Sequence, residues 1–416
     1  TQPDNIDSRL TAALNGMGGE SGTETFNIFD SSANSPELID WLSTNSETNR
    51  QADLLVGDLV VTGDLFSMNA GPVGFAAGLQ YRDESYSEKR NDVATQQIDP
   101  DTGEIIPADL IFLGGGFPVD ESRSSYAAFA EMQMPLTESL DVNLAVRYED
   151  LDTDSSVDPK IAVRWQVTDS VIMRASASTA FREPSLAQFY ATETSLQGIQ
   201  DFNPDGTPKG GAVFVRVNAR GNQDLKPEES TNYNFGVIWQ PTDYLDMRID
   251  YWRFDYEDVI TVENAQGKVI NDLNGEDIIR VAGPNSQLAG INVNYINAAT
   301  VDTDGLDIAA SYVHDTSSAG SFGVSLEATH FLSYEIPDPQ GGTRDVVGLF
   351  NHDNFARSIP ETKLNLSMDW NLGNHSAAAI AYWVDDYKTT REVPPGESAS
   401  IDSWTTLDLQ YSYNLQ

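Results

Sequence analysis

Runs in which apolar and polar residues alternate recur along almost the whole chain, and they constrain its fold more than any other feature. In DVNLAVRYED, Leu140, Val142, Leu144, Val146 and Tyr148 share one face, while Asp141, Asn143, Arg147 and Glu149 share the other. Ile161, Val163 and Trp165 stand opposite Lys160, Arg164 and Gln166 in the same way. Further on, Leu364, Leu366, Met368 and Trp370 oppose Lys363, Asn365, Ser367 and Asp369, and Leu407, Leu409, Tyr411 and Tyr413 oppose Asp408, Gln410, Ser412 and Asn414. A period of two marks a strand with one oily and one wet face. The pattern predicts about thirteen strands, near 53–68, 72–90, 122–135, 139–152, 157–168, 170–180, 230–240, 244–257, 303–314, 320–334, 361–371, 375–388 and 402–415, with bounds good to a few residues.

The connections between these strands are of two kinds. Tight turns, rich in Gly, Asn, Asp and Pro, fall at 69–71, 136–138, around Asp169, 241–243, 315–319 and 372–374. Longer excursions occupy 91–121, 181–229, 258–302, 335–360 and 389–401, and only the 153–156 connection is short where a long one is due. Short and long therefore alternate, which places every long loop at one end of an antiparallel meander. A soluble sandwich has no reason for this, whereas outer-membrane barrels have short periplasmic turns and long extracellular loops. The expected fold is thus all-β, an antiparallel transmembrane barrel. By the same parity residues 1–52 lie with the long loops, as an ordered loop with helical turns and not a separate domain. There Ser35 can cap a short helix with Pro36 in its first turn and Leu38, Ile39, Trp41 and Leu42 following.

Composition removes several alternatives. Lys+Arg 24 against Asp+Glu 64 gives a net charge of -40, which argues against a nucleic-acid partner, since phosphates need a surplus of cations. The acidity is read first as serving solubility, ahead of divalent cations or a cationic ligand. With no cysteine, thiolate metal sites, cysteine nucleophiles and disulfides are out. No window approaches the roughly 18 apolar residues that a membrane helix needs, and the mean hydropathy is -0.36. A membrane barrel survives this test because its two faces average out. The first residue is Thr1, with no apolar leader before the strands, so the sequence is expected to start inside a longer chain. Tyr251, Trp252, Phe254 and Tyr256 crowd one strand end, and Tyr382, Trp383 and Tyr387 another, where the favoured reading is an interfacial aromatic girdle. Because the apolar parity switches between Tyr251 and Trp252, a bulge is expected there.

Sites of chemistry are scarce. Asp150, Asp152, Asp154 and Asp158 have the spacing that begins a calcium loop, but Ser155 stands where Gly is needed and Ile161 where the bidentate Glu belongs. Asp302, Asp304 and Asp307 look similar, with Gly305 there for backbone geometry. His314 and His375 lie beside short turns, His330 shares the parity of Leu326 and Leu332, and only His352 sits on a long loop. FLGGGF, at 112–117, has no strand-to-helix context, and no nucleophile elbow or P-loop appears. No metal, cofactor or catalytic centre is expected.

Three segments carry a resemblance. SSYAAFAEMQMPL (124–136) with LDVNLAVRYED after it resembles a barrel hairpin of TonB-dependent receptors. MRASASTAFREPSLAQFY (173–190) is similar to the strand that ends in FRAPSL in that family, with Glu183 where Ala is usual. RGNQDLKPEESTNYNFGVIWQP (220–241) resembles its GNPxLKPE segment, with Gln223 for the usual Pro. Pro184 and Pro227 cannot donate to a ladder and mark where pairing stops. Arg182, Glu183, Lys226, Glu228 and Glu229 would then meet at the outer mouth and pair across it, which is favoured over ligand contact.

The resemblance implies an outer-membrane receptor of a Gram-negative bacterium. Such a receptor takes up a scarce nutrient (iron-siderophore, haem, cobalamin or oligosaccharide) through a plugged barrel of about 22 strands, energised by the TonB inner-membrane complex. This chain would supply a middle-to-late run, with the plug, the coupling segment and the last strands outside it, so that it could not close alone. Outer-loop groups such as Tyr190, Phe202, Tyr334, Phe350 and His352 are the expected ligand contacts. The rivals are a passive porin or surface adhesin of similar architecture, and a β-rich enzyme, for which no convergent acid-base pair is present.

Overall fold

The structure, a computed structural model, describes residues 2–101, 105–111, 114–151, 154–281, 286–338, 342–350, 358–390, 393 and 396–415. Thirteen long strands form one antiparallel meander: β1 (Thr48–Met68), β2 (Gly71–Arg90), β3 (Val119–Thr137), β4 (Leu140–Asp150), β5 (Ser155–Thr168), β6 (Val171–Arg182), β7 (Glu228–Thr242), β8 (Leu245–Val262), β9 (Leu288–Thr316), β10 (Gly320–Pro337), β11 (Thr362–Leu372), β12 (His375–Val384) and β13 (Trp404–Tyr413). Each pairs with the next in sequence, from β1 with β2 to β12 with β13. Among the described residues no ladder joins β1 to β13, so the wall is an open curl with two free edges. The alternation of tight turns with long excursions stands as the spacing predicts. Gly320 and Gly373 take positive φ of 89° and 57° in two of the turns, a region that a side chain disfavours.

The two faces differ as the alternation requires. Leu59, Leu79, Val146, Ile161, Phe235, Ile249, Met368 and Leu409 lie on the outward face and are exposed, although they are apolar. Glu88, Glu149 and Asp250 lie on the other face and are buried. An apolar exterior around a polar interior inverts a soluble protein and suits a hydrocarbon surround. Among the described residues no helix is long and apolar enough to cross a membrane, a test that leaves barrels untouched.

The register corrects one expectation. From Leu245 to Tyr256, β8 pairs with β9 without interruption, and β7 opposes it continuously from Glu229↔Glu257 to Trp239↔Met247. No bulge separates Tyr251 from Trp252. Tyr251 therefore faces outward, while Trp252, Phe254 and Tyr256 continue the lumenal parity of Asp246, Arg248 and Asp250, so these three rings do not belong to an outer girdle. Irregularities lie elsewhere, between β9 and β10 at Asp304/Gly305 and between β8 and β9 beyond Tyr256.

Structure also fills the long excursions. The strand Thr192–Ile199 runs antiparallel to Val213–Arg220, which pairs in parallel with the start of β9, while Ile278–Arg280 adds a fourth strand. Ile199, Val215, Val217, Val269, Leu288, Ile291 and Val293 form the core of this loop sheet. Its alternation, as in VFVRVNAR, is present in the sequence, but the segments are short and their partners distant: Asn218 and Asn292, which hydrogen-bond at 3.0 Å, are 74 residues apart. Because β9 runs from this sheet into the wall, the cap and the barrel share one strand.

Residues 2–47 fold at the long-loop end. There α1 (Asp7–Leu14) and α2 (Pro36–Leu42) pack through Ala13, Leu38 and Leu42. Ser35 caps α2 by accepting from the Leu38 amide at 3.0 Å, with Pro36 in the first turn, as the sequence predicts.

Candidate functional site

The mouth is built where β6 and β7 leave the wall. Arg182 and Glu228 face each other in register, and the guanidinium donates two hydrogen bonds to the carboxylate, each 2.5 Å. Glu228 also accepts from the Ile260 amide at 2.7 Å, tying β7 to the end of β8. Pro184 is buried, and Ser185 then caps the short helix α3 (Leu186–Tyr190) with Gln188 closing a capping box. Pro227 is buried and precedes β7.

The other expected partners go elsewhere. Glu183 does not pair with Lys226. Its side chain is 5% exposed and lies 3.2 Å from the Arg123 guanidinium on β3, without a well-directed hydrogen bond to either oxygen. Burial pushes the Glu183 carboxyl above its ordinary range, against the pull of Arg123 and Arg82. Arg123 is held independently by Glu84 at 2.7 Å, by the Pro184 carbonyl at 2.6 Å and by the face of Phe189. Lys226 is exposed and is fixed through its backbone, which exchanges two hydrogen bonds of 2.9 Å with the Asn297 side chain.

Lumenal charges are paired along much of the wall. Glu88 takes Arg50, Arg90 and Tyr86, and Glu149 takes Arg82 and Arg147. Arg174 reaches Asp250 with bonds of 2.8 and 2.6 Å. In the loop sheet Arg280 grips Asp201 at 2.9 and 2.8 Å and holds its carboxyl below the usual range.

The expected ligand contacts do not converge on one point. Tyr190 packs beside Phe189, Leu225 and Ile260, and Phe202 against the core of the loop sheet. Tyr334 lies against Val301, Ile336 and Val346, and Phe350 stacks on Tyr387 with ring centres 6.2 Å apart. His352 lies outside the described residues, as does Asp152 of the acidic run. Asp304 accepts from Tyr251 and Ser333, and Asp307 from Thr329, so these carboxylates serve opposite faces of β9. Among the described residues no group of His, Asp and Glu converges on a metal position. Gly305 keeps an ordinary φ; its lack of a side chain matters because Trp252 lies over it, 2.5 Å from where a Cβ would sit.

A lumenal cluster of rings was missed. Trp252 meets Phe254 at 5.6 Å and Phe331 at 5.5 Å, and Phe331 meets Tyr334 at 6.3 Å. The signal was in the sequence: counting by twos from Asp246 leads directly to Trp252 and Phe254.

An outward apolar band, a charged lumen, tight turns at one end and a folded cap at the other define the wall of a membrane-spanning β-barrel. The model of the family "TonB dependent receptor-like, beta-barrel" matches residues 4–416, and the chain belongs to that family. It is 28% identical over 142 residues to a probable TonB-dependent siderophore receptor, PirA, of Acinetobacter baumannii, covering 34% of this chain and 18% of that protein. With the heme/hemopexin utilization protein C of Haemophilus influenzae it shares 23% over 314 residues, 71% of this chain and 38% of the relative. Among solved structures, the ferric enterobactin receptor PfeA of Pseudomonas aeruginosa, in complex with enterobactin, superposes with a TM-score of 0.64 at 17% identity, covering 88% of this chain and 47% of that one. PirA of A. baumannii superposes with a TM-score of 0.59 at 15% identity, covering 96% and 52%. The chain thus spans about half or less of the proteins it matches.

Proposed function

We propose that this chain is the receptor wall of a protein that captures a scarce nutrient at the cell surface and takes it through the outer membrane of a Gram-negative bacterium. The observation that carries this reading is the family match along residues 4–416, on a wall whose long connections and folded cap all gather at one end. The curated relatives include a siderophore receptor and a haem-utilisation protein, which supports a nutrient ligand and energy coupling through the TonB complex. The cap over the mouth, with Tyr190, Phe202, Tyr334 and Phe350 among its groups, is where the ligand is selected, and His352, outside the described residues, is proposed as a further contact. The apolar outward face contacts lipid, and the wall itself performs no chemistry.

Uptake of labelled ferric siderophores, haem, cobalamin and oligosaccharides is the test, in cells with and without the gene and with and without a protonophore. Loss of one energised uptake on deletion is the expected result. Uptake of that nutrient that persists with the proton gradient collapsed would point to a passive pore, and unchanged uptake of all four classes would overturn the proposal.

A further inference from the structure

The lumenal rings sit beside a column of free amides. Across the β7–β8 ladder Asn234 stands opposite Trp252 and Asn232 opposite Phe254, and strand geometry turns all four to the lumen. Among the described residues neither asparagine side chain has a hydrogen-bond partner, although both are half-buried. Phe331 joins from β10 because Gly305, between it and Trp252, leaves the two rings free to meet edge to face at 84°. Above the strip Arg182 is closed on Glu228, and below it Arg174 is closed on Asp250. Asp307, next to Asp250 in register, adds only negative charge.

Such a surface discriminates by chemistry. Within the strip the charge is negative or neutralised: Arg182 and Arg174 are bound to carboxylates, and Lys160 and Lys363, without a partner among the described residues, stand on strands outside it, opposite Ser178 and Thr329. A flat macrocycle would need the central ring coplanar with its neighbours, whereas Trp252 is inclined by 45° to Phe254 and by 84° to Phe331, and the near-parallel pair, Phe254 and Tyr256 at 18°, lies at one end of the cluster. Rings that step along a strand, flanked by amides that each donate and accept, fit a ligand with C–H faces to stack and repeating hydroxyls to bind. We infer that Trp252, Phe254 and Phe331 with Asn232 and Asn234 form a lumenal binding track for a neutral, hydroxyl-rich ligand, of the class of short oligosaccharides. This rests on the barrel reading above, which makes that face a lumen, but not on energised transport.

The test uses the whole receptor purified from outer membranes, titrated calorimetrically with maltoheptaose, cellohexaose and xylohexaose, and with ferric citrate as the anionic comparison. At least one saccharide should saturate the protein. Trp252→Ala and Asn234→Ala should each weaken that binding about 10-fold or more, and Trp252→Phe by less, while ferric citrate binding is unaltered by all three. Heat-modifiable migration on gels verifies that each variant is folded, and a variant that fails is replaced by Phe254→Leu or Asn232→Ala. Binding of none of the three saccharides, or saccharide binding indifferent to both columns, overturns the inference. Saccharide binding that depends on both columns, in a protein whose deletion leaves energised uptake intact, would uphold the track and reject the transport reading.

Discussion

Arg174 and Asp250 lie on strands that are not neighbours, and their side chains meet over Gly236 on the strand between them. A Cβ at Gly236 would stand 1.9 Å from the Asp250 Oδ1 and 2.9 Å from the Arg174 Nε. The ion pair, closed by two charge-assisted bonds, exists because that position has no side chain. Gly305, beneath the contact between Trp252 and Phe331, repeats the device. The lumen is therefore braced over single strands, above glycine at these two crossings and above Ser125 and Ala127 of β3 where Arg82 reaches Glu149.

Gly236→Ala is expected to destabilise the barrel by about 1–3 kcal/mol, since Asp250 is buried and would lose its geometry with Arg174. Denaturant unfolding in detergent micelles measures it. Asp250→Asn should cost a comparable amount, and an unchanged midpoint in Gly236→Ala would show that the pair adapts.

Arg182→Ala opens the mouth junction. Because Arg182 is about half exposed, its pairing with Glu228 contributes only about 1 kcal/mol, yet it tethers both ends of the 183–227 excursion. Limited proteolysis should cut that excursion several-fold faster in the variant, with the wall strands as resistant as before.

Glu183→Ala should stabilise the protein at neutral pH by about 1 kcal/mol. The folded carboxyl has a raised pKa, so ionisation opposes folding at any pH above the folded value, and this penalty vanishes once pH falls below the unfolded value. Arg123 keeps Glu84, the Pro184 carbonyl and Phe189 in the variant. The gain should be present at pH 7 and absent below about pH 4, read from unfolding midpoints across that range. A loss at pH 7 would mean that the Arg123 contact outweighs the burial.

The loop sheet should loosen only in strong acid. Asp201 is held below its ordinary pKa chiefly by Arg280, with burial opposing, so its contribution is complete above the unfolded value and is lost as pH falls through the lower folded value. Digestion with an acid-active protease should leave the 192–220 and 288–294 segments intact near pH 4 and release them near pH 2. In Asp201→Asn, release should already occur near pH 4, since removing one partner of a buried pair costs about 3 kcal/mol.

What the sequence determined by itself was the wall. Alternation fixed which residues face out, because a strand turns successive side chains to opposite sides, and turn residues fixed where each strand reverses. The helix cap at Ser35 was legible for the same local reason. What only the tertiary structure decided were contacts between segments far apart: the pairing of 213–220 with β9, the choice of Arg123 over Lys226 as the partner of Glu183, and the rings that meet above Gly305. No local pattern encodes those, since they depend on which strands curl beside one another. The Tyr251–Trp252 step shows the boundary between the two. A change from polar to aromatic along one face looks like a bulge when read locally, and only the unbroken ladder shows that the lumen itself changes character with height.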